Sequence, residues 1–291
     1  MNRLFCFGLG YSAQALAARL SRQGWSVAGT VTTPEAVERL SRFGYQALLF
    51  DGTTAHARLG PALAAATHLL VSVPPGEHGD RVLPHFADAI TRAPQLGTIA
   101  YLSTIGVYGD WQGAWIDEDT PPRAASARSI RRLAADEAWL DLGERSGKRV
   151  TVLRLAGIYG PGRSAIDTLR AGKARRIIKS GQVFNRIHVE DVATAVAAVL
   201  DNRGAHRIYN VADDEPAPPQ DVIEFAAQLL RLPPPPAVAL EDADLSPMAA
   251  SFYAENKRVR NTRMKQDLGV RLAFPTYREG LTNLATPSPD R

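Results

Sequence analysis

The chain has 291 residues, 45% hydrophobic and 22% charged, with a formal net charge of +4. That suits one large α/β domain with a smaller lobe, and the charge is too small and dispersed to argue for nucleic acid. A single cysteine, Cys6, rules out an internal disulfide, and no stretch reaches the ~20 apolar residues of a membrane span, so a cytoplasmic protein is expected.

Leu4 to Phe7 is an apolar run without alternation, the pattern of a central strand buried on both faces, which makes Cys6 a small buried hydrophobe. Gly8-Leu9-Gly10-Tyr11-Ser12-Ala13 follows. From Ala13 to Ser21, Leu16, Ala17 and Leu20 share a helical stripe that should stop at Gly24. Strand, glycine turn and helix together are the context of a dinucleotide-binding turn. Gly8 permits the tight turn, Gly10 lets the backbone approach a pyrophosphate, and Ala13 lets the helix sit close to its strand. The free N–H groups at the helix start would hold the phosphates. A glycine turn with no ligand is the plainer alternative.

Trp25 to Gly29 is the second strand, and Thr32, Thr33, Pro34 and Glu35 open a helix running to Arg42. An acid closing this strand would bind the ribose 2′-hydroxyl of NAD. Gly29-Thr30-Val31-Thr32-Thr33 carries none, which tilts the expected cofactor from NAD towards NADP. The Arg or Lys expected for a 2′-phosphate is also missing there; Arg39 and Arg42 are either within reach of it or solvated.

Further strands run Gln46 to Phe50, His68 to Val73, Thr98 to Ser103 and Val150 to Leu155, separated by helical patterns around residues 55–66, 80–92 and 124–146. This alternation means a doubly wound parallel sheet, with ligands beyond the carboxyl ends of its strands. The strand-end residues Asp51, Gly52, Ser72, Val73, Pro74, Ser103, Gly157 and Ile158 therefore join Gly8 to Ala13, Thr30, Thr32 and Thr33 as cofactor-facing positions. Beyond Ser164 the regularity weakens. Arg170, Lys173, Arg175, Arg176 and Lys179 form a basic cluster, either a solvated face or a substrate-phosphate site. Asn185 to Asp191 leads into a helix ending at Leu200, Arg207 to Val211 is another strand, and helices are expected at Gln220 to Leu230 and Asn261 to Leu268. The expected division is a dinucleotide-binding domain over 1–165 with 185–212 returning to it, a substrate lobe from 166–184 and 213–285, and a disordered tail over 286–291.

Taken together, Gly8 to Ala13, Ser103 to Gly109, Leu153 to Gly162, Arg186 to Val192, Tyr209 to Ala212 and Lys257 to Gly269 resemble the short-chain dehydrogenase/reductase superfamily, in its extended or atypical branch of NAD-dependent epimerases and dehydratases. The resemblance implies a Rossmann-type fold and a nicotinamide cofactor. It makes Thr104, four residues before Tyr108, the hydroxyl that hydrogen-bonds a reacting carbonyl or alcohol. It also implies a Tyr-x-x-x-Lys pair on the following helix, with Tyr as general acid/base. Here Arg128 and Arg132 occupy those two positions, and a shift of one residue gives Ser129 and Leu133. Arg132 could bind the cofactor ribose, but Arg128 cannot shuttle a proton. Tyr108 is either a pocket wall or a substitute donor.

Arg128, Tyr159, Arg163, Arg186 and His188 are the expected substrate-facing residues, His188 alternatively ordering the loop before its helix. Asp117 and Glu118 either meet a substrate or, in the plainer reading, form a solvated loop. Two functions follow. One is an NAD(P)-dependent oxidoreductase or epimerase/dehydratase-like enzyme on a small anionic or sugar-type metabolite, with Thr104, Tyr108 and Arg132 at the reacting centre and homodimerisation left open. The other is an NADP(H)-binding sensor that has lost its acid/base pair.

Overall fold

The computed structural model describes residues 2–53 and 58–286. In chain order it has β1 (Arg3–Phe7), α1 (Tyr11–Ser21), β2 (Ser26–Val31), α2 (Pro34–Ser41), β3 (Gln46–Leu49), α3 (Leu59–Ala64), β4 (His68–Val71), α4 (Leu83–Arg92) and β5 (Thr98–Thr104). After a 3-10 turn at Ile105–Tyr108 come β6 (Trp115–Ile116), α5 (Ala127–Ser146), β7 (Arg149–Leu155), β8 (Gly157–Tyr159), α6 (Ala165–Arg170), β9 (Arg176–Ile178) and β10 (Arg186–His188). The chain ends with α7 (Val189–Leu200), β11 (Ile208–Val211), α8 (Pro219–Leu230), β12 (Ala237–Ala239), α9 (Pro247–Tyr253), β13 (Arg258–Val259), α10 (Thr262–Gln266) and α11 (Tyr277–Ala285). The helix expected over 55–66 is seen from Leu59; residues 55–57, and all of the expected disordered tail but Thr286, lie outside the described residues.

Seven parallel strands make one sheet in the order β11-β7-β5-β4-β1-β2-β3, a Rossmann-type doubly wound fold. β1 is flanked on both sides, Leu4 pairing with Val27 of β2 and His68 of β4. Its side chains alternate between two cores. Phe5 and Phe7 meet Phe50 and Phe86 beneath α3, α4 and α5, whereas Leu4 and Cys6 face α1 and α7. Apolar residues on both faces explain the unbroken apolar run. The order reverses between β1 and β4, so a crevice opens at the carboxyl end of β1, where the glycine turn lies.

Beyond Leu155 the chain leaves the sheet and returns to it at Ile208. Tyr159, Ile166, Val222, Tyr277 and Leu281 form a third, smaller core among α6, α8 and α11. Two-stranded parallel ladders, β8 with β10, β9 with β12 and β6 with β13, tie these segments together over the carboxyl end of the sheet. No helix among the described residues is long and apolar enough to cross a membrane.

Candidate active site

The glycine turn is held from below. Gly8 has φ +88°, and a Cβ there would lie 2.8 Å from Ser72 Oγ and 3.0 Å from Val73, so only glycine fits. The Gly8 N–H donates to Thr30 Oγ1 at 2.8 Å, and the Leu9 N–H to the Thr30 carbonyl at 2.7 Å. Thr30 is 1% exposed, so its hydroxyl orders the turn and does not reach a ligand, a correction to its expected cofactor-facing role. Gly10 caps α1 with no side-chain hydrogen bond, and nothing lies within 4 Å of where its Cβ would stand. The helix start therefore faces open space, as a bound pyrophosphate requires, and the residues present fit a dinucleotide.

Thr33 caps α2 by accepting from the Ala36 N–H, and Thr32 is exposed beside it. Asp51 accepts from the N–H and hydroxyl of Thr53. The Arg81 side chain, which the sequence reading did not single out, lies against Gly52, and its guanidinium lies against Gly76. It stands between two of the expected cofactor-facing turns.

A cavity of about 1170 Å³ opens beyond the carboxyl ends of β5 and β7, walled on its far side by α6, α8 and α9. Ser103, Thr104, Arg132, Gly157 and Ile158 line it, together with the substrate-facing candidates Arg128, Tyr159, Arg163 and Arg186. Of these, Thr104 caps the 3-10 turn, its hydroxyl accepting from the Gly106 N–H at 3.1 Å. Arg132 donates to the Tyr101 hydroxyl and the Leu102 carbonyl, both at 3.0 Å, which fixes it against β5. Arg128 is exposed, its guanidinium 4.8 Å from the Phe252 ring centre. The Arg163 guanidinium lies 5.8 Å from the Tyr11 ring centre. Arg186 donates to the Phe184 and Ala217 carbonyls, with Asp213 behind it; burial pushes that carboxyl up to about 8. Lys173, Arg175 and Lys257 bring the lining cations to seven, against Asp167 and Glu255, so the cavity suits an anion.

Two candidates are shut out of the cavity. Tyr108 is 0% exposed, its ring under the Arg154 guanidinium and its hydroxyl donating to Asn210 Oδ1 at 2.8 Å, which rules it out as a proton donor to substrate. His188 lies between Tyr159 and Phe274 and caps α7, its Nδ1 accepting from the Glu190 N–H; it orders the loop and does not touch substrate. Tyr159 shows the cavity only part of its ring, because its hydroxyl donates to the Thr276 carbonyl. Glu118, expected in solvent, is buried and accepts from the Asn210 N–H, and burial raises its carboxyl above the ordinary value.

Beneath the site floor, Asp136 and Arg154 form a buried ion pair at 3.2 Å; burial still pushes Asp136 up to about 6. The sequence reading missed Ser126, Phe252, Tyr253 and Lys257 as cavity residues. Lys257 is buried and donates to the Gly109 carbonyl and to Glu255, both at 2.6 Å.

The family model for the NAD dependent epimerase/dehydratase family matches residues 84–212. Protein YeeZ of Escherichia coli K12 is 31% identical over 253 residues, covering 81% of this chain and 86% of its own length. The chain belongs to the NAD-dependent epimerase/dehydratase family. A solved structure of a functionally unknown conserved protein from Silicibacter pomeroyi is 47% identical, with a TM-score of 0.88 and 98% of each chain covered. GDP-6-deoxy-D-mannose reductase of Pseudomonas aeruginosa is 29% identical over 185 residues, 58% of each chain. This member of the NAD-dependent epimerase/dehydratase family departs from the expected Tyr-x-x-x-Lys pair at Arg128 and Arg132.

Proposed function

We propose that the chain is an NADP(H)-dependent reductase of a carbonyl on an anionic, sugar-type metabolite. The observation that carries this reading is the cation-lined cavity with the Thr104 hydroxyl on its wall. Gly8 to Ala13 would hold the pyrophosphate, and Arg132 the nicotinamide ribose. Arg81, beside Asp51–Gly52 and Pro74–Gly76, supplies a cation at the adenosine end and supports NADP over NAD. When bound, the nicotinamide would supply or accept the hydride. Thr104 would hydrogen-bond the reacting oxygen, and Arg128, Arg163 and Arg186 would hold the anionic part of the substrate.

A second reading, an NADP(H) sensor, draws support from Arg128, which cannot carry a proton where the resemblance expects a Tyr. A screen of aldehydes, ketones and nucleotide-linked 4-keto sugars with NADPH and NADH, followed by loss of the reduced-cofactor absorbance, separates the two. Turnover supports the reductase; tight NADPH binding with no turnover across the panel supports the sensor.

A further inference from the structure

We propose that Thr104 and Ser129 form a two-donor pocket for a carbonyl oxygen, so that Ser129 takes over the oxygen-binding half of the missing tyrosine's work. This rests on the reading that a carbonyl is the reacting group.

Ser129 is 3% exposed yet lines the cavity from the first turn of α5. Its orientation follows from the helix start. Ser126 is the N-cap, its hydroxyl accepting the Ser129 N–H at 3.1 Å and donating to Ser129 Oγ at 2.9 Å. Ser129 Oγ therefore already accepts a hydrogen bond. Thr104 Oγ1, likewise, already accepts one from the Gly106 N–H. Neither hydroxyl has an acceptor for its own proton among the described residues, and a hydroxyl turns its proton to wherever an acceptor is offered. Both are left as donors facing one cavity.

Gly106 lies between them. A Cβ on Gly106 would stand 3.4 Å from Ser129 Oγ and 3.4 Å from Thr104 Oγ1, so both hydroxyls flank the bare side of the glycine, and a carbonyl oxygen can approach between them over its Cα. An oxygen held between them meets two O–H donors whose oxygens are already held in place by the Gly106 N–H and by Ser126, an arrangement that stabilises charge developing on a carbonyl oxygen. The two hydroxyls bind the oxygen and keep their own protons; the proton that finally joins it comes from water.

The test uses 4-(dimethylamino)cinnamaldehyde, whose absorption band moves to longer wavelength when its oxygen is hydrogen-bonded. The full-length protein is saturated with oxidised NADP, so no turnover intervenes. A red-shifted band is expected with wild type and with Ile130→Ala, an exposed change on the same helix. Thr104→Ala and Ser129→Ala should each lose most of the shift, and Ser129→Thr should recover it. Gly106→Ala should abolish it by filling the pocket; its backbone is outside the left-handed region, so alanine is accommodated. Circular dichroism and NADP titration confirm that each variant is folded and loaded. An unshifted spectrum in wild type, or an unchanged shift in folded Ser129→Ala, overturns the pocket. A shift that behaves as expected in a protein with no turnover on any carbonyl keeps the pocket and refutes the reductase.

Discussion

Acid should weaken this fold through His188. Burial between Tyr159 and Phe274 lowers its imidazole from 6.5 to about 4. Nδ1 accepts the Glu190 N–H, so the neutral ring carries its proton on Nε2, and a second proton would have to displace the α7 cap. Nε2 itself is buried with no partner among the described residues. The folded ring stays neutral while the unfolded chain takes up a proton near pH 6.5. The resulting stability is present above that pH and lost as pH falls towards 4. At pH 5 the loss is about 2 kcal/mol, which for a chain of this size lowers Tm by roughly 3 °C.

Asp213 and Asp136, both raised by burial, act in the opposite direction over the same range, so the wild-type profile alone does not isolate the histidine. His188→Asn does, because asparagine caps a helix and does not titrate. Differential scanning calorimetry at pH 7 and pH 5 should show the wild-type Tm falling about 3 °C further than that of His188→Asn. Parallel falls in the two proteins would refute the reasoning.

The open space before Gly10 predicts that Gly10→Asp folds normally and loses cofactor. NADP at a hundred times its Kd should stabilise wild type by about 2.7 kcal/mol and leave the variant's Tm unmoved. NADP should bind more tightly than NAD in paired titrations, and Arg81→Ala should weaken NADP about ten- to a hundredfold while sparing NAD, because a phosphate loses a charged partner worth about 1.5–3 kcal/mol. Thr104→Ala should abolish turnover with cofactor affinity unchanged, read by steady-state kinetics beside a binding isotherm. Tyr108→Phe should cost about 1 kcal/mol in urea unfolding and leave the pH–rate profile as it was, since its hydroxyl serves Asn210 and not substrate.

The sheet was legible because every strand buried on both faces spells out its own apolar run, and the glycine turn because Gly8 tolerates no Cβ. Placement within the site was harder to read. Val107 and Tyr108 sit in a 3-10 turn whose sequence does not say which side chain turns inward, and the packing of Arg154 decided it. On α5, alignment to a Tyr-x-x-x-Lys pair drew attention to Arg128. The Ser126 and Ser129 spacing, an N-cap followed three residues later, was the local signal that sets the helix face. Strands of two or three residues, such as β6 and β13, carry no periodicity, so the ladders over the cavity left no trace in the sequence. α9 went unnoticed in a proline-broken region, although Ser246-Pro247 is a fair helix start.

The order of strand pairing has a consequence for synthesis. All seven sheet strands are complete by Val211, whereas β12, α9 and β13, which pair with or face segments much earlier in the chain, arrive later. On the ribosome the seven sheet strands can pair while Trp115–Ile116 still waits for Arg258–Val259. A chain cut by a protease anywhere between residues 213 and 236 would retain every sheet strand and lose α9, Tyr253 and Lys257 from the cavity wall. The same cut would strip Val259, Met264, Leu268 and Val270 from the main core, so the sheet would be left partly uncovered and the fragment prone to association.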